Sequence, residues 1–147
     1  MTTPEIAEAT RIVPASAEDI FELLATPANH ALIDGSGTVK GTKRGTPQRL
    51  SSGARFGMNM RILGPYPIVN EVVEFEEGRR IAWRHYGGHI WRYILEPLGP
   101  NTTQVTEQFD PTHARSPWVL KMLDASRRNQ RSIDLTLHRM VEWASSR

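Results

Sequence analysis

The last third of the chain, residues 116–147, most constrains the fold because its spacing is that of one long amphipathic helix. Ser116 is a good N-cap, and Pro117 suits the first helical position. The residues that recur at helical spacing and form one buried stripe are Val119, Met122, Leu123, Ile133, Leu137, Met140, Val141 and Ala144. Polar residues interrupt the stripe at Ser126, Asn129 and Gln130. Such a gap is expected of a helix that roofs a cavity, or of one that is kinked near residues 124–126.

The chain before this helix begins with one strand and two short helices. Alternating residues from about Glu5 to Val13 predict the strand, and Pro14 ends it. A capping-box pattern that starts at Ser16 predicts the first helix. Pro27 begins a second helix that runs to Ile33.

The middle of the chain alternates apolar and polar residues, as antiparallel strands with one buried face do. Turn residues at Gly64-Pro65, Glu77-Gly78 and Gly87-Gly88 separate the stretches. The predicted strands are Thr38–Lys43, Arg55–Ile62, Val69–Phe75, Ile81–His85, Trp91–Leu95 and Val105–Phe109. We therefore predict one α+β domain over residues 1–147, in which a curved antiparallel sheet of six to seven strands wraps around the C-terminal helix. The two short helices lie between strands 1 and 2.

Composition limits the classes of protein and chemistry. The chain has 147 residues and no cysteine, which suits one domain and excludes disulfides, thiol catalysis and cysteine-bound metal. Its first ten residues lack the basic and apolar segments of a signal peptide. No apolar run approaches the ~20 residues that span a bilayer. We expect a cytoplasmic protein that is not transmembrane.

Positive charge is concentrated between residues 35 and 70, although the net charge of the whole chain is only +2. The basic residues there are Lys40, Lys43, Arg44, Arg49, Arg55 and Arg61. This segment is either a solvated loop and edge strand or a surface for an anionic partner. Nucleic acid is not favoured, because the chain has no helix-turn-helix pattern, zinc finger or RNA-binding aromatic motif.

The order of elements and five local stretches resemble a known superfamily along nearly the whole chain. The stretches are Ile12–Pro27, Gly53–Phe56, Val72–Trp83, Trp91–Pro97 and Thr102–Thr106. They resemble the SRPBCC superfamily, the helix-grip proteins that include START domains, birch-pollen-allergen-like proteins and the polyketide cyclase/dehydrase group. The resemblance implies a deep cavity for an apolar or amphipathic small molecule. It implies no universal catalytic motif, so no catalytic residue is carried over.

The simplest hairpin registers place one row of side chains across the inner side of the sheet: Met58, Glu71, His85, Trp91 and Glu107. This row requires an odd connection at Gly87-Gly88, because a two-residue loop would turn Trp91 away from Trp83. Directly opposed residues have Cβ atoms ~5 Å apart. Glu71 and His85 are therefore a candidate general acid/base pair, an anchor for a ligand hydroxyl, or a structural pair.

Glu107 is the third candidate catalytic residue. A carboxylate on an inward face needs a partner, which a ligand, Arg128 or Asn129 could provide. Tyr93 could supply a hydroxyl to the same space. The residues predicted to line the cavity, which serve equally as core, are Phe56, Met58, Met60, Val73, Trp83, Trp91, Tyr93, Val105, Phe109, Met122, Ser126, Gln130 and Ile133.

The sequence predicts neither a metal site nor a cofactor. No two of the five histidines have metal-ligand spacing with a carboxylate, and no glycine-rich phosphate loop is present. The histidines predicted to lie on the surface or in loops are His30, His89, His113 and His138.

Three functions remain open. The leading hypothesis is binding or transport of a hydrophobic small molecule of the lipid or polyketide type. The alternative is a polyketide cyclase/dehydrase that uses Glu71, His85, Tyr93 or Glu107 for proton transfer. The sequence does not decide between binding alone and catalysis. The third is a protein-interaction module, like the chaperone-activator relatives of this fold, acting through the basic Lys40–Arg55 surface. The apolar residues near Trp118 and Trp143 fit equally well a homodimer contact and packing on the sheet.

Overall fold

The computed structural model describes residues 6–34, 39–42, 46–61, 65–85, 88–113 and 125–147. For residues 39–42, 58–61, 65–69 and 125–126 only the backbone is described. The elements in chain order are β1 (Ala7–Val13), α1 (Ala17–Ala25), a 3-10 turn (Pro27–Asn29), α2 (His30–Ile33), β2 (Val39–Thr42), β3 (Arg55–Arg61), β4 (Pro65–Glu76), β5 (Arg80–His85), β6 (Ile90–Gly99), β7 (Thr102–Asp110) and α3 (Ala125–Ser145).

The described strands form one antiparallel sheet of seven strands in the order β1-β7-β6-β5-β4-β3-β2. Strands β2 to β7 follow one another as hairpins, and β1 closes the row beside β7. The predicted α+β helix-grip architecture is therefore confirmed, including the short helices between the first two strands. The predicted helix start at Ser116 and residue 124 of the predicted kink lie outside the described residues, whereas residues 125 and 126 belong to α3.

The first helix forms where its capping residues predict it. The Ser16 Oγ accepts a hydrogen bond from the Asp19 backbone N–H at 3.1 Å, so it satisfies one of the free donors of the first turn. The buried residues of α1 are Ala17, Ile20, Phe21, Leu23, Leu24 and Ala25. Phe21 meets Phe75 of the sheet edge-on, with ring centroids 5.3 Å apart. The apolar side of α1 thus covers one face of the sheet.

We call this covered side of the sheet the inner face. Its positions, which follow from the strand registers, are Phe56, Asn70, Val72, Phe75, Ile81, Trp83, His85, Trp91, Tyr93, Leu95, Val105, Glu107 and Phe109. Helix α3 packs along β1 and β7 and contributes the buried residues Ile133, Leu137 and Met140. The core therefore lies between the inner face and the helices.

A β-bulge in β4 reverses the predicted alternation of that strand. Val72 pairs with Trp83 and Glu74 pairs with Ala82, so Val73 is the extra, unpaired residue. A shift of one residue exchanges the two faces of a strand. Asn70 and Val72 consequently lie on the inner face, and Glu71 lies on the outer one.

Gln130 gives the polar gap of α3 a structural role that neither sequence-based explanation included. Its Oε1 accepts from the Glu8 backbone N–H at 3.2 Å, and its Nε2 donates to the Glu8 carbonyl at 3.0 Å. Glu8 belongs to β1, an edge strand whose outer backbone groups have no neighbouring strand. The Gln130 amide therefore takes the place of one residue of a further strand and ties α3 to the sheet.

We expect Gln130→Ala to lower the free energy of unfolding by about 1–2 kcal/mol, because two hydrogen bonds worth about 0.5–1.5 kcal/mol each are lost. Hydrogen exchange of the Glu8 amide should become faster at the same time. Arg131→Ala, at the next and exposed position of α3, should change neither quantity. Unchanged exchange at Glu8 in Gln130→Ala would contradict this role.

Of the helices in the described part of the chain, none combines the length and apolar character that crossing a bilayer requires.

Candidate functional site

The centre of the inner face holds a buried acid bonded to a buried phenol. Glu107 of β7 and Tyr93 of β6 are direct register partners. The Tyr93 hydroxyl donates to Oε2 of Glu107 at 2.9 Å. Only 2% of Glu107 and 6% of Tyr93 is exposed. The other carboxyl oxygen, Oε1, is buried and has no hydrogen-bond partner among the described residues.

Burial keeps both groups of this pair in their neutral forms. It raises the pKa of Glu107 well above the usual range of a carboxyl, and the nearby Asp34 and Asp134 raise it further, against the lowering effect of the Tyr93 hydrogen bond. Burial, followed by the Glu107 charge, likewise raises the pKa of Tyr93. The site therefore presents a carboxylic acid rather than a carboxylate, which is able to donate a hydrogen bond or a proton.

His30 belongs to an aromatic cluster beside this pair, and its predicted surface position is wrong. Its ring stacks on Trp83 with centroids 5.0 Å apart and meets Phe56 edge-on at 5.8 Å. Trp83 in turn lies 5.7 Å from Tyr93. His30 is 8% exposed, and its Nε2–H donates to the Leu24 carbonyl at 2.7 Å.

The environment of His30 favours the neutral imidazole. Burial lowers its pKa to about 4, although the Leu24 hydrogen bond and the Asp34 charge act in the opposite direction. The sequence did carry a signal for this placement, since His30 and the buried Ile33 are three residues apart on the same helix and so share its inner side.

Two further histidines lie at the end of the β5–β6 hairpin. His85 and His89 stack with centroids 4.3 Å apart and planes 14° apart, and His89 also contacts Phe109 at 5.1 Å. Burial lowers the pKa of both rings, that of His89 to about 3 with a further contribution from His85. His89 does lie in the connection, as predicted, but it is half-buried. His113 and His138 are exposed, as predicted.

The predicted row of five residues is not formed. Its members pair instead with other residues: Met58 with Ile68, Glu71 with Arg55 and Arg84, His85 with Asn70, Trp91 with Trp83 and Phe109, and Glu107 with Ala9 and Tyr93. The odd connection at Gly87-Gly88 is correct, because Trp83 and Trp91 are opposed on the same face. The bulge at Val73 and different turn lengths explain the other shifts.

Glu71 is the candidate catalytic residue that the structure moves away from the site. It lies on the outer face, 3.9 Å from the Arg55 guanidinium and 3.6 Å from that of Arg84. His85 occupies the opposite face, so the predicted acid/base pair of Glu71 and His85 is wrong. Of the three candidate catalytic residues, Glu107 and His85 remain on the inner face.

Most of the predicted cavity-lining residues lie on the inner face or face it from α3. The buried ones are Phe56, Tyr93, Val105, Phe109 and Ile133, and the half-buried ones are Trp83 and Trp91. Val73 is half-buried in the bulge, and Gln130 bonds to β1. The side chains of Met58, Met60, Met122 and Ser126 lie outside the described residues.

Part of the basic segment is already paired with acids. The Arg49 guanidinium contacts Glu22 at 3.0 Å and also bonds Glu77, while Arg55 faces Glu71. These pairs weaken the case for an anionic partner at Arg49 and Arg55. The side chains of Lys40, Lys43, Arg44 and Arg61 lie outside the described residues.

Two other predictions concern metals and dimers. In the described ranges, no group of three or more histidine, aspartate or glutamate side chains is placed to hold a metal ion. Trp118 lies outside the described residues, and Trp143 is half-buried with the Arg147 guanidinium 4.7 Å from its ring centroid. The homodimer contact stays a prediction.

Comparison with known proteins gives one family and several relatives. The family model described as "Polyketide cyclase / dehydrase and lipid transport" matches residues 5–143. The chain is 39% identical over 99 residues to Uncharacterized protein Rv0088 of Mycobacterium tuberculosis, a match that covers 67% of this chain and 44% of that protein. The chain therefore matches less than half the length of that relative.

Solved structures share the fold at low sequence identity. A START superfamily protein from Mycobacterium smegmatis has a TM-score of 0.72 at 17% identity, with 96% of this chain and 97% of that chain covered. Protein NE0264 from Nitrosomonas europaea has a TM-score of 0.70 at 13% identity, covering 96% and 94%. An AHSA1-like protein from Aeromonas hydrophila has a TM-score of 0.62 at 16% identity, covering 95% of each chain. These likenesses concern the fold alone.

Proposed function

Because the chain belongs to the polyketide cyclase/dehydrase and lipid transport family, we propose that it binds and carries a hydrophobic small molecule between the inner face and α3. The predicted resemblance to SRPBCC and START-like proteins is confirmed at the level of family and fold. The observation that carries the proposal is the Glu107–Tyr93 pair, buried among apolar residues with one carboxyl oxygen unsatisfied. Native proteins rarely leave a buried polar atom without a partner, and a ligand group would complete this one.

The direct test is to ask what the protein retains when it is purified. Native mass spectrometry of protein that has never been unfolded should show a discrete adduct of low mass, which organic extraction removes. The stripped protein should then bind the neutral fluorescent probe N-phenyl-1-naphthylamine at a single site. An adduct-free protein that also fails to bind the probe would overturn the proposal.

Ile133→Phe should separate a hollow interior from a packed one. Ile133 is fully buried on the inward side of α3. If the space beneath it accepts a ligand, the larger ring should reduce probe affinity by at least about tenfold while stability stays within ~1 kcal/mol. In a solid core the same change costs about 1–3 kcal/mol. Leu135→Phe, at an exposed position of the same helix, should alter neither property.

The second candidate function is a cyclase/dehydrase, and the neutral state of Glu107 favours it. A carboxylic acid can donate a proton to a leaving hydroxyl, which departs as water, and the resulting carboxylate can take the hydrogen from the neighbouring carbon. Glu107→Gln should then abolish turnover of a poly-β-keto substrate while leaving its binding largely intact. A carrier would show no turnover even before the substitution.

A further inference from the structure

The Glu107–Tyr93 pair holds one hydrogen-bond donor more than it can use. In their neutral forms the carboxyl and the phenol carry one O–H each. The bond between them uses the Tyr93 hydrogen, with Oε2 as acceptor, so the carboxyl hydrogen sits on Oε1. Oε1 is buried and meets no acceptor among the described residues. Reversing the direction of the bond would free the phenol hydrogen instead, so one donor is left over in either arrangement.

The charged groups close to this spare donor are acidic. Asp34, at the end of α2, and Asp134 of α3 both act on Glu107 as negative charges. Tyr93 faces it from β6, and the residue opposite it on β1 is Ala9, which has no charge.

The described arginines of β1, β5 and β6 that come nearest to this pair lie on the outer face of the sheet or are exposed to solvent. Arg84 and Arg92 lie on the outer face, where Arg92 bonds Glu74 at 2.7 Å and Arg84 lies 3.6 Å from Glu71. Arg11 of β1 is exposed and contacts His138. The one described guanidinium on the same side of the sheet as Glu107, that of Arg139 in α3, already bonds the Asp34 carbonyl. An anionic head group buried beside Glu107 would therefore have to compete for that cation or stay unpaired, which is costly. An ammonium group would meet a neutral donor rather than a carboxylate.

We propose that the ligand of this site is uncharged and presents a hydrogen-bond acceptor, such as a ketone oxygen, to the spare donor of Glu107 and Tyr93, and that acids and amines of the same shape are rejected. This inference rests on the proposed binding function and makes Glu107 its specificity-determining residue. His30, Phe56, Trp83 and Tyr93 pack around this end of the inner face. A ligand whose acceptor is attached to an aromatic ring therefore fits these side chains.

Four naphthalenes of nearly equal size test the proposal on stripped protein by titration calorimetry at pH 7. They are 2-acetylnaphthalene, 2-ethylnaphthalene, 2-naphthoate and 2-naphthylmethylamine. The ketone should bind about five- to tenfold more tightly than the ethyl compound, the ratio that one satisfied buried donor gives. The carboxylate and the amine should both bind more weakly than the ketone.

Two variants assign the preference to the Glu107–Tyr93 pair. The double variant Tyr93→Phe/Glu107→Leu should bind the ketone and the ethyl compound equally well, since both O–H groups are gone, whereas Glu107→Leu alone would leave the Tyr93 O–H as the spare donor. E107Q keeps a neutral donor in its amide, so it should retain the ketone preference. Ketone affinity of the unmodified protein should fall as the pH rises through the raised pKa of Glu107, whereas the affinity of E107Q should stay constant.

The outcomes distinguish this inference from the function on which it rests. Failure of all four compounds to bind would count against the binding function itself. Binding without a ketone preference, or a preference that survives in Tyr93→Phe/Glu107→Leu, would overturn the inference and leave the binding function standing. Tightest binding of the amine would show that Glu107 is ionised and that the site takes cations.

Discussion

Replacing Glu107 by glutamine is expected to make the difference in unfolding free energy between the variant and the unmodified protein shift in favour of the variant as the pH rises. Burial raises the pKa of Glu107 in the folded state, whereas the unfolded glutamate ionises near pH ~4.3. Above that pH the folded state holds a proton that the unfolded state has lost, so the unmodified protein loses stability with rising pH. The loss is ~1.4 kcal/mol per pH unit until the folded-state pKa is passed.

E107Q has no such titration, so the difference in unfolding free energy between the two proteins should change by that amount per pH unit. At about pH 5 the variant should be the less stable one, because its amide brings a further donor that costs about 1–3 kcal/mol when unsatisfied. The variant should gain on the unmodified protein with each pH unit up to the folded-state pKa of Glu107. Urea unfolding at pH 5, 6, 7 and 8 measures the difference.

Glu74→Gln is the matched control for this experiment. Arg92 lowers the pKa of Glu74 by hydrogen bonding and charge, so this carboxylate is ionised in both states above pH 5. Its substitution should therefore shift stability by a constant amount between pH 5 and pH 8. A constant difference for E107Q as well would mean that Glu107 is ionised in the folded protein, which would contradict the proposed acid catalysis and the inferred uncharged ligand.

The sequence was sufficient for the fold because each element carries its own local signal. The Ser16 cap, the turn glycines and the alternation of β5 to β7 all agree with the observed elements. Glu107 was found for the same reason, since β7 alternates without interruption and buries Thr103, Val105, Glu107 and Phe109 in turn. The sequence placed the Tyr93 hydroxyl in the same space but did not predict that it bonds Glu107, which it does.

The rest of the candidate site depended on features that leave little trace in a single sequence. The bulge lies between Val72 and Glu74, with Val73 as the extra residue. Because Val72 and Val73 are both valines, either could face inward, and the sequence pattern gives no sign that the alternation changes. That one extra residue moved Glu71 to the outer face. His30 was missed because its three-residue spacing from Ile33 is the one local signal, which is weak in a helix of one turn, and because its burial depends on contacts with distant strands.

Glu107 and His30 affect the pH dependence of stability with opposite signs, because one is a buried neutral acid and the other a buried neutral base. Between pH ~4.5 and 6.5 the folded state holds an extra proton at Glu107 and lacks one at His30. Their contributions to the slope cancel. The lowered pKa of His89 acts in the same direction as that of His30. The unmodified protein should therefore lose stability toward low pH through His89, while the Glu107 and His30 components offset each other until single substitutions separate them.

His30→Phe is expected to remove an acid-induced loss of about 3 kcal/mol. Burial lowers the pKa of His30 from 6.5 to about 4, so the unfolded state binds a proton in this range that the folded state does not. Stability is therefore lost as the pH falls from 6.5 to about 4, at ~1.4 kcal/mol per pH unit. The variant lacks this loss. It should be less stable at pH 7, since the Leu24 carbonyl loses its donor, and should gain on the unmodified protein as the pH falls.

Phe56→Leu separates this titration from ordinary packing. Phe56 contacts the His30 ring and is 2% exposed, so its replacement should destabilise the protein by about 1 kcal/mol or more. It removes no titratable group, and its difference from the unmodified protein should stay constant between pH 4 and 6.5. If His30→Phe behaved in the same way, His30 would be protonated in the folded protein. Its ring would then have to lie in contact with water or with a carboxylate rather than against Trp83, because a buried imidazolium requires one or the other.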